Sequence, residues 1–229
     1  MGETKWRFAA ALNLARPPQA PGRAVQKKSR IALERCPIKR AAFREQIAQI
    51  PVEKLVFLDE CGFSLNLCRL YGWVLGGGRC EEGVPFNKGI NRSVLGAFSL
   101  PTTDCPTGMR ALWQKLGAWT RDTFEAFLQD GLLPHLSQGS VLVLDNARIH
   151  HGGNVEACVK QAGCSLLYLP PYSPDFNPIE LAWSWIKTQV RTLAPRSDNE
   201  RERGIQAAAQ QLPNSAAKQW FKHCKLLTS

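Results

Sequence analysis

No Cys-X-X-Cys pair occurs in this 229-residue chain, although it holds eight cysteines: Cys36, Cys61, Cys68, Cys80, Cys105, Cys158, Cys164 and Cys224. Without that spacing no zinc module is expected, and reduced thiols in a cytosolic protein are the simpler reading. No apolar run approaches the roughly 20 residues that a membrane-spanning helix needs, so neither a span nor a membrane partner is expected. Phe8–Ala15 follows Lys5 and Arg7 in the manner of a secretion signal, but Asn13 breaks the run and its length barely suffices. There is no internal repeat. Carboxylates are also few: 19 Asp plus Glu stand against 29 Lys plus Arg, a formal net charge of +10 that suits a polyanionic partner.

What is present is enough for one sizeable core, with 44% hydrophobic residues. The positive charge is concentrated at one end. Residues 1–54 hold 12 basic and 4 acidic side chains, a surplus of 8, which leaves only +2 for the other 175 residues. Within that end, Pro17, Pro18 and Pro21 precede Arg23, Lys27, Lys28 and Arg30, a composition that opposes a regular helix and reads as a basic linker. Such an arm can touch DNA phosphates or simply stay solvated.

Beyond the arm, Ile38–Ile50 places Phe43, Ile47 and Ile50 at helical spacing. Lys54–Asp59 is an apolar run predicted as a buried strand that ends on a carboxylate. Tyr71–Leu75 and Ser93–Leu100 read as two further strands of an antiparallel meander, separated by Gly76–Gly78 and a loop with Lys88 and Arg92. A helix is predicted over Asp122–Leu133, opened by Asp122 and Glu125 in capping-box spacing. Val141–Asp145 repeats the pattern of an apolar strand ending on aspartate. A helix over Asn154–Ala162, stopped by Gly163, and a strand over Ser165–Leu169 follow, an order that favours a parallel crossover. After the rigid Pro170, Pro171 and Pro174 loop, Asn177 is placed to cap a helix with Pro178 first and Glu180 third, running to about Arg191. Two more helices are expected after Pro195, the last ending near Cys224. The sum is a mixed α/β layer fold.

Three carboxylates deserve comparison with metal chemistry. Phosphodiester cleavage by two metal ions needs hard oxygen ligands converging where ions lie roughly 3.5–4 Å apart. Asp59 and Asp145 would emerge side by side if their strands are sheet neighbours, and the helix after the fifth strand could add Glu180. Each also has an ordinary explanation: strand-end acids serve turns, and Glu180 could complete a capping box with Asn177. Alternation along the strand points Glu60 to the opposite face from Asp59, as a supporting or surface group. Asp175 reads as a turn residue. Asn146, His150 and His151 could face DNA or metal-bound water, or merely enter a helix.

Phe57–Phe63 (Phe-Leu-Asp-Glu-Cys-Gly-Phe), Tyr71-Gly-Trp73, Val143–His150 (Val-Leu-Asp-Asn-Ala-Arg-Ile-His) and Tyr168–Glu180 occur in this order. They resemble the signature blocks of the mariner-like superfamily of DDE transposases, in particular its bacterial insertion-sequence branch. Glu180 follows Asp145 by 35 positions, a spacing similar to one branch of that superfamily. The resemblance covers the chain from about residue 38 to its end. It implies a ribonuclease-H-like fold, a mixed five-stranded sheet flanked by helices, with Asp59, Asp145 and Glu180 as catalytic residues that ligate two Mg²⁺ or Mn²⁺ ions. It also implies water-driven cleavage at transposon ends followed by attack of the freed 3′-hydroxyl on target DNA.

As partners the resemblance implies transposon-end and target DNA and a homodimer on that DNA. Residues 1–37 would be a basic arm, a remnant of an N-terminal DNA-binding region, and 38–229 the DDE catalytic domain with its C-terminal helices. The recognition module that relatives carry ahead of this domain is short here, so a separately encoded N-terminal part is a further expected partner. A bacterial cytoplasmic, nucleoid-associated location follows. Lys88, Arg92, Lys187 and Arg191 are the candidate DNA contacts; Glu180, Ser184, Lys187 and Arg191 form one polar helix stripe, which equally describes a solvated face. Trp73 and Trp183 read as packing residues. Two other functional readings are a catalytically silent DNA-binding relic and a general nuclease on the same fold.

Overall fold

Leu55–Phe63 (β1) opens with four apolar residues, Leu-Val-Phe-Leu, the composition of a strand covered on both faces. In the computed structural model, which describes residues 31–227 apart from Leu70, Leu75 and Gly77, it is the middle strand of the sheet. Residues 1–30, with most of the expected basic arm, lie outside the described residues. All elements below belong to the unit Glu34–Ser229. The other strands are Arg92–Ser99 (β2), Met109–Leu116 (β3), Val141–Leu144 (β4) and Ser165–Tyr168 (β5), and the order is β3-β2-β1-β4-β5. β1, β2 and β3 pair antiparallel, whereas β4 and β5 run parallel to β1. This is the ribonuclease-H-like arrangement.

The expected meander is corrected in two places. Tyr71–Val74 is not a strand: among the described residues of the 64–91 connection no stretch pairs with the sheet, and Trp73 is 103% exposed, so the expected packing role of that tryptophan is also overturned. An alternating run becomes a strand only where a partner edge is available. The third strand is instead β3, whose Arg110, Gln114 and Lys115 interrupt its apolar residues, as suits the half-exposed edge of a sheet. β1 also continues four residues beyond Asp59, so that acid sits inside the strand rather than at its end.

Helices cover both faces. Pro37–Ala48 (α1), Ile179–Leu193 (α4), Asp198–Gln210 (α5) and Asn214–His223 (α6) pack on the face that receives Phe57, Phe63, Val94 and Phe98. Arg121–Ala126 (α2), Val155–Gln161 (α3) and a π-helical segment, Phe127–Leu132, cover the other, against Val56, Leu58, Leu95, Leu142 and Leu144. Each face is one parity of β1, so neighbouring residues of that strand enter different layers. The N-cap of α2 is Thr120, in a reciprocal box with Thr123, rather than the predicted Asp122 and Glu125 pairing. No helix of the described residues is long and apolar enough to cross a membrane.

Candidate active site

The sheet register brings the two aspartates level. β1 and β4 pair in parallel as far as Phe57 opposite Val143, and the same offset carried two residues onward sets Asp59 beside Asp145. Asp145 follows the last residue of β4, where the strand gives way to a loop. Glu180 lies in the first turn of α4. The predicted capping role of Asn177 is not realised: no side-chain hydrogen bond caps this helix, and the Asn177 side-chain oxygen is buried without a partner. The capping-box explanation of Glu180 therefore falls away. Asp59, Asp145 and Glu180 line a single open cavity of about 460 Å³, together with Asn146, Tyr172 and Asn177.

A glycine makes the close approach of α4 possible. Gly96 on β2 sits opposite Asp59, and a Cβ there would stand 2.6 Å from the Trp183 ring. Trp183, 2% exposed, lies across that gap and donates Nε1–H to Asp59 Oδ2 at 3.1 Å. The expected packing role of Trp183 holds, and to it the structure adds a direct contact with the acid. Asn146 donates its side-chain N–H to the Leu169 carbonyl, joining the ends of β4 and β5 beneath the loop that leads to Glu180. Asp175, expected as a turn residue, also anchors α1: it accepts from Arg35 and Arg40, both at 2.7 Å, while the Arg40 guanidinium covers the Phe176 ring at 3.8 Å.

The charges in the cavity are mutually unfavourable. Burial pushes Asp59 up to about 7, helped by the negative charges of Glu180 and Asp145 and opposed by the Trp183 hydrogen bond. Glu180 is raised by burial and by Asp145, against the pull of Lys187. Asp145 is held below the usual carboxylate range by its contact with His150, against its partial burial. Three hard-oxygen donors with a surplus of negative charge are what a divalent cation would satisfy. No three His, Cys, Asp or Glu side chains of the described residues stand close enough to form a ready-made cage. Like-charged carboxylates sharing one cavity repel until cations enter, so the donor type and the shared cavity fit a divalent cation while the closed geometry is not preformed.

His150, expected to face DNA or metal-bound water or else to mark an exposed helix entry, is 2% exposed. Its Nδ1 lies 2.8 Å from Asp145 Oδ1, and its Nε2 lies 3.5 Å from Glu60 Oε1. Burial alone would depress this imidazole, but the two acids raise it to about 9. Glu60 does occupy the face opposite Asp59, and the contact with His150 is what alternation could not name. The spacing of five between Asp145 and His150 was the only signal in the sequence.

The expected DNA contacts separate. Arg92 is corrected: it is 6% exposed, because its guanidinium is bound by Asp198 and Glu202 from α5. Lys88 is exposed. Lys187 is half-buried with its ammonium 5.7 Å from the Phe63 ring centroid, and Arg191 is half-buried one turn further along α4.

A family model described as DDE superfamily endonuclease matches residues 54–202. The Tcb1 transposase of a Caenorhabditis briggsae transposable element is 27% identical over 124 residues, 52% of this chain and 43% of that protein. The chain thus spans less than half the length of that relative. Among solved structures, the mariner Mos1 paired-end complex with Mg superposes with a TM-score of 0.64 at 13% identity, over 88% of this chain and 65% of that one. The Mos1 transposase catalytic domain with raltegravir and Mg gives 0.52 at 10% identity, over 82% and 90%. At such identities these superpositions show the shared fold.

Proposed function

The chain belongs to the DDE superfamily of endonucleases, and we propose that it is the catalytic part of a DNA transposase that cuts transposon ends and joins them to target DNA. The observation that carries this reading is the convergence of Asp59, Asp145 and Glu180 on one cavity from three separate elements. Asp59 is held by rigid strand β1 and the Trp183 N–H, Asp145 by His150 and the Ala147 N–H, and Glu180 by the first turn of α4. These three would hold divalent cations, Mg²⁺ or Mn²⁺, and we expect two. When bound, such ions activate the attacking oxygen and stabilise the leaving oxygen of an in-line phosphoryl transfer. The chain itself supplies fixed ligands and a cavity open to a DNA strand, lined beside the three acids by Asn146, Tyr172, Ser173 and Asn177.

The finer proposals rest on further support. The ordered signature blocks favour the bacterial insertion-sequence branch, and with it a cytoplasmic, nucleoid-associated location. Two DNA ends must be brought together before joining, which favours a homodimer on DNA. The Mos1 paired-end complex, a structure of similar fold, holds a left transposon end, which favours end DNA as the substrate. The positive surplus in residues 1–54 supports phosphate contacts by the basic arm, residues 1–37.

The test is cleavage and joining of labelled transposon-end DNA with Mn²⁺, comparing wild type with Asp145→Ala. Joined products made by wild type alone support the reading. Cutting of unrelated DNA without joining would replace it with a general nuclease, and salt-sensitive binding without products, even with a DNA-recognition module supplied separately, would replace it with a silent relic.

A further inference from the structure

We infer that His150, braced by Glu60, is a positioning residue that determines which oxygen of Asp145 is offered to a divalent cation. The inference rests on the metal-dependent reading above and concerns how this chain prepares one ligand. Asp145 Oδ1 is occupied from two directions: the Ala147 N–H donates to it at 2.9 Å, and His150 Nδ1 lies 2.8 Å away. The same Nδ1 lies 3.3 Å from the Asp145 carbonyl oxygen. Among the described residues, no hydrogen bond reaches Oδ2. One oxygen is therefore committed to the protein and the other is left for the cavity, an arrangement that favours ligation through a single oxygen.

The imidazole is itself immobilised. It is 2% exposed, which removes it from direct contact with DNA, and its ring lies against Phe124 with centroids 4.6 Å apart. The His150 carbonyl accepts from the Tyr168 hydroxyl at 3.0 Å, tying this turn to β5. Behind the ring, His150 Nε2 and Glu60 Oε1 are both buried, lack any hydrogen-bond partner, and face each other at 3.5 Å. Buried polar atoms left without partners are uncommon, and these two meet only each other, which sets the far side of the imidazole against Glu60. The alternation of β1 gives this geometry its economy of parts: Asp59 enters the cavity, and the next residue, Glu60, enters the opposite layer and reaches the same site through His150.

The experiment is Mn²⁺ binding to the DNA-free protein, followed by calorimetry, for wild type, His150→Phe, His150→Asn, Glu60→Leu and Asp145→Asn, with thermal melts of the metal-free proteins alongside. His150→Phe keeps a ring against Phe124 but removes the donor; it is expected to weaken Mn²⁺ binding about 10–100-fold. His150→Asn, whose amide can donate toward Oδ1, is expected to recover most of the loss, which a purely structural role would not produce. If His150→Phe does not fold, Glu60→Leu, which leaves the imidazole in place, carries the test with a several-fold weakening. A folded His150→Phe or Glu60→Leu with wild-type affinity overturns the inference. Asp145→Asn separates the two claims: if it binds Mn²⁺ as wild type does, the metal-site reading itself fails, whereas its loss of binding beside an unaffected His150→Phe sinks only the positioning role.

Discussion

Replacing Asp59 by asparagine should stabilise the metal-free protein. The folded chain raises this carboxyl from an ordinary 3.8 to about 7, so it keeps its proton there when the unfolded chain would have lost it. The sign follows: an acid whose folded value is raised contributes most below about pH 4, and stability falls as pH climbs from about 4 to 7, where the unfolded chain binds fewer protons. Above pH 7 the charged form remains in place at a cost of roughly 4 kcal/mol, set by the difference between 3.8 and about 7. Solvent and local rearrangement reduce this to on the order of 2–4 kcal/mol. Asparagine carries no charge and can still accept from Trp183 Nε1, so it removes the penalty while retaining the contact. For a chain of this size the gain corresponds to a melting temperature ~5–10 °C higher. Thermal melts at pH 8 and pH 5 in chelator read it directly: the advantage of Asp59→Asn should be large at pH 8 and shrink at pH 5, and saturating Mn²⁺ should raise the wild type but not the variant. A variant no more stable than wild type at pH 8 would refute the claim that this acid is held against its own charge.

Gly96→Ala should cost about 1–3 kcal/mol and disable cleavage, because the added methyl would stand 2.6 Å from the Trp183 ring and push α4 away from Asp59; melts and a strand-cleavage assay check both effects. Asp198→Asn should cost on the order of 3 kcal/mol by leaving the buried Arg201 without its acid and Arg92 with Glu202 alone. Asp198 is lowered to about 2, so its contribution is present above about pH 4 and lost as pH falls toward 2; urea midpoints between pH 7 and pH 3 should fall in wild type and change less in the variant. Arg40→Met should loosen α1 from the Asp175–Phe176 turn, costing about 1–3 kcal/mol, and hydrogen exchange should rise in both segments together.

The chemistry-bearing residues were legible where a local pattern ended on them. Leu-Val-Phe-Leu before Asp59 and Val-Leu-Val-Leu before Asp145 read as strands because apolar runs of that length have few other uses, and the parallel crossover to β5 followed from their order. The apolar run alone ends β1 at Asp59; in the sheet, Glu60 and Gly62 pair with Leu95 and Ser93 of β2, a partner that local composition does not reveal. Trp73 and Arg92 were misjudged for the same reason in opposite directions. An aromatic in an unpaired loop remains exposed, and a basic residue beside two acids of a distant helix is buried. The His150–Glu60 contact joins positions 90 apart with no periodicity between them, so only the folded sheet could bring it to light.

The central claim is that Asp59, Asp145 and Glu180 form one metal-dependent centre for joining DNA. Its most direct test is transfer of a pre-cut, labelled transposon end into plasmid DNA with Mn²⁺, by wild type and by Asp59→Asn, Asp145→Asn and Glu180→Gln, each confirmed folded. Joined product from wild type with none from any of the three variants is the predicted result; undiminished joining by even one of them would contradict the account.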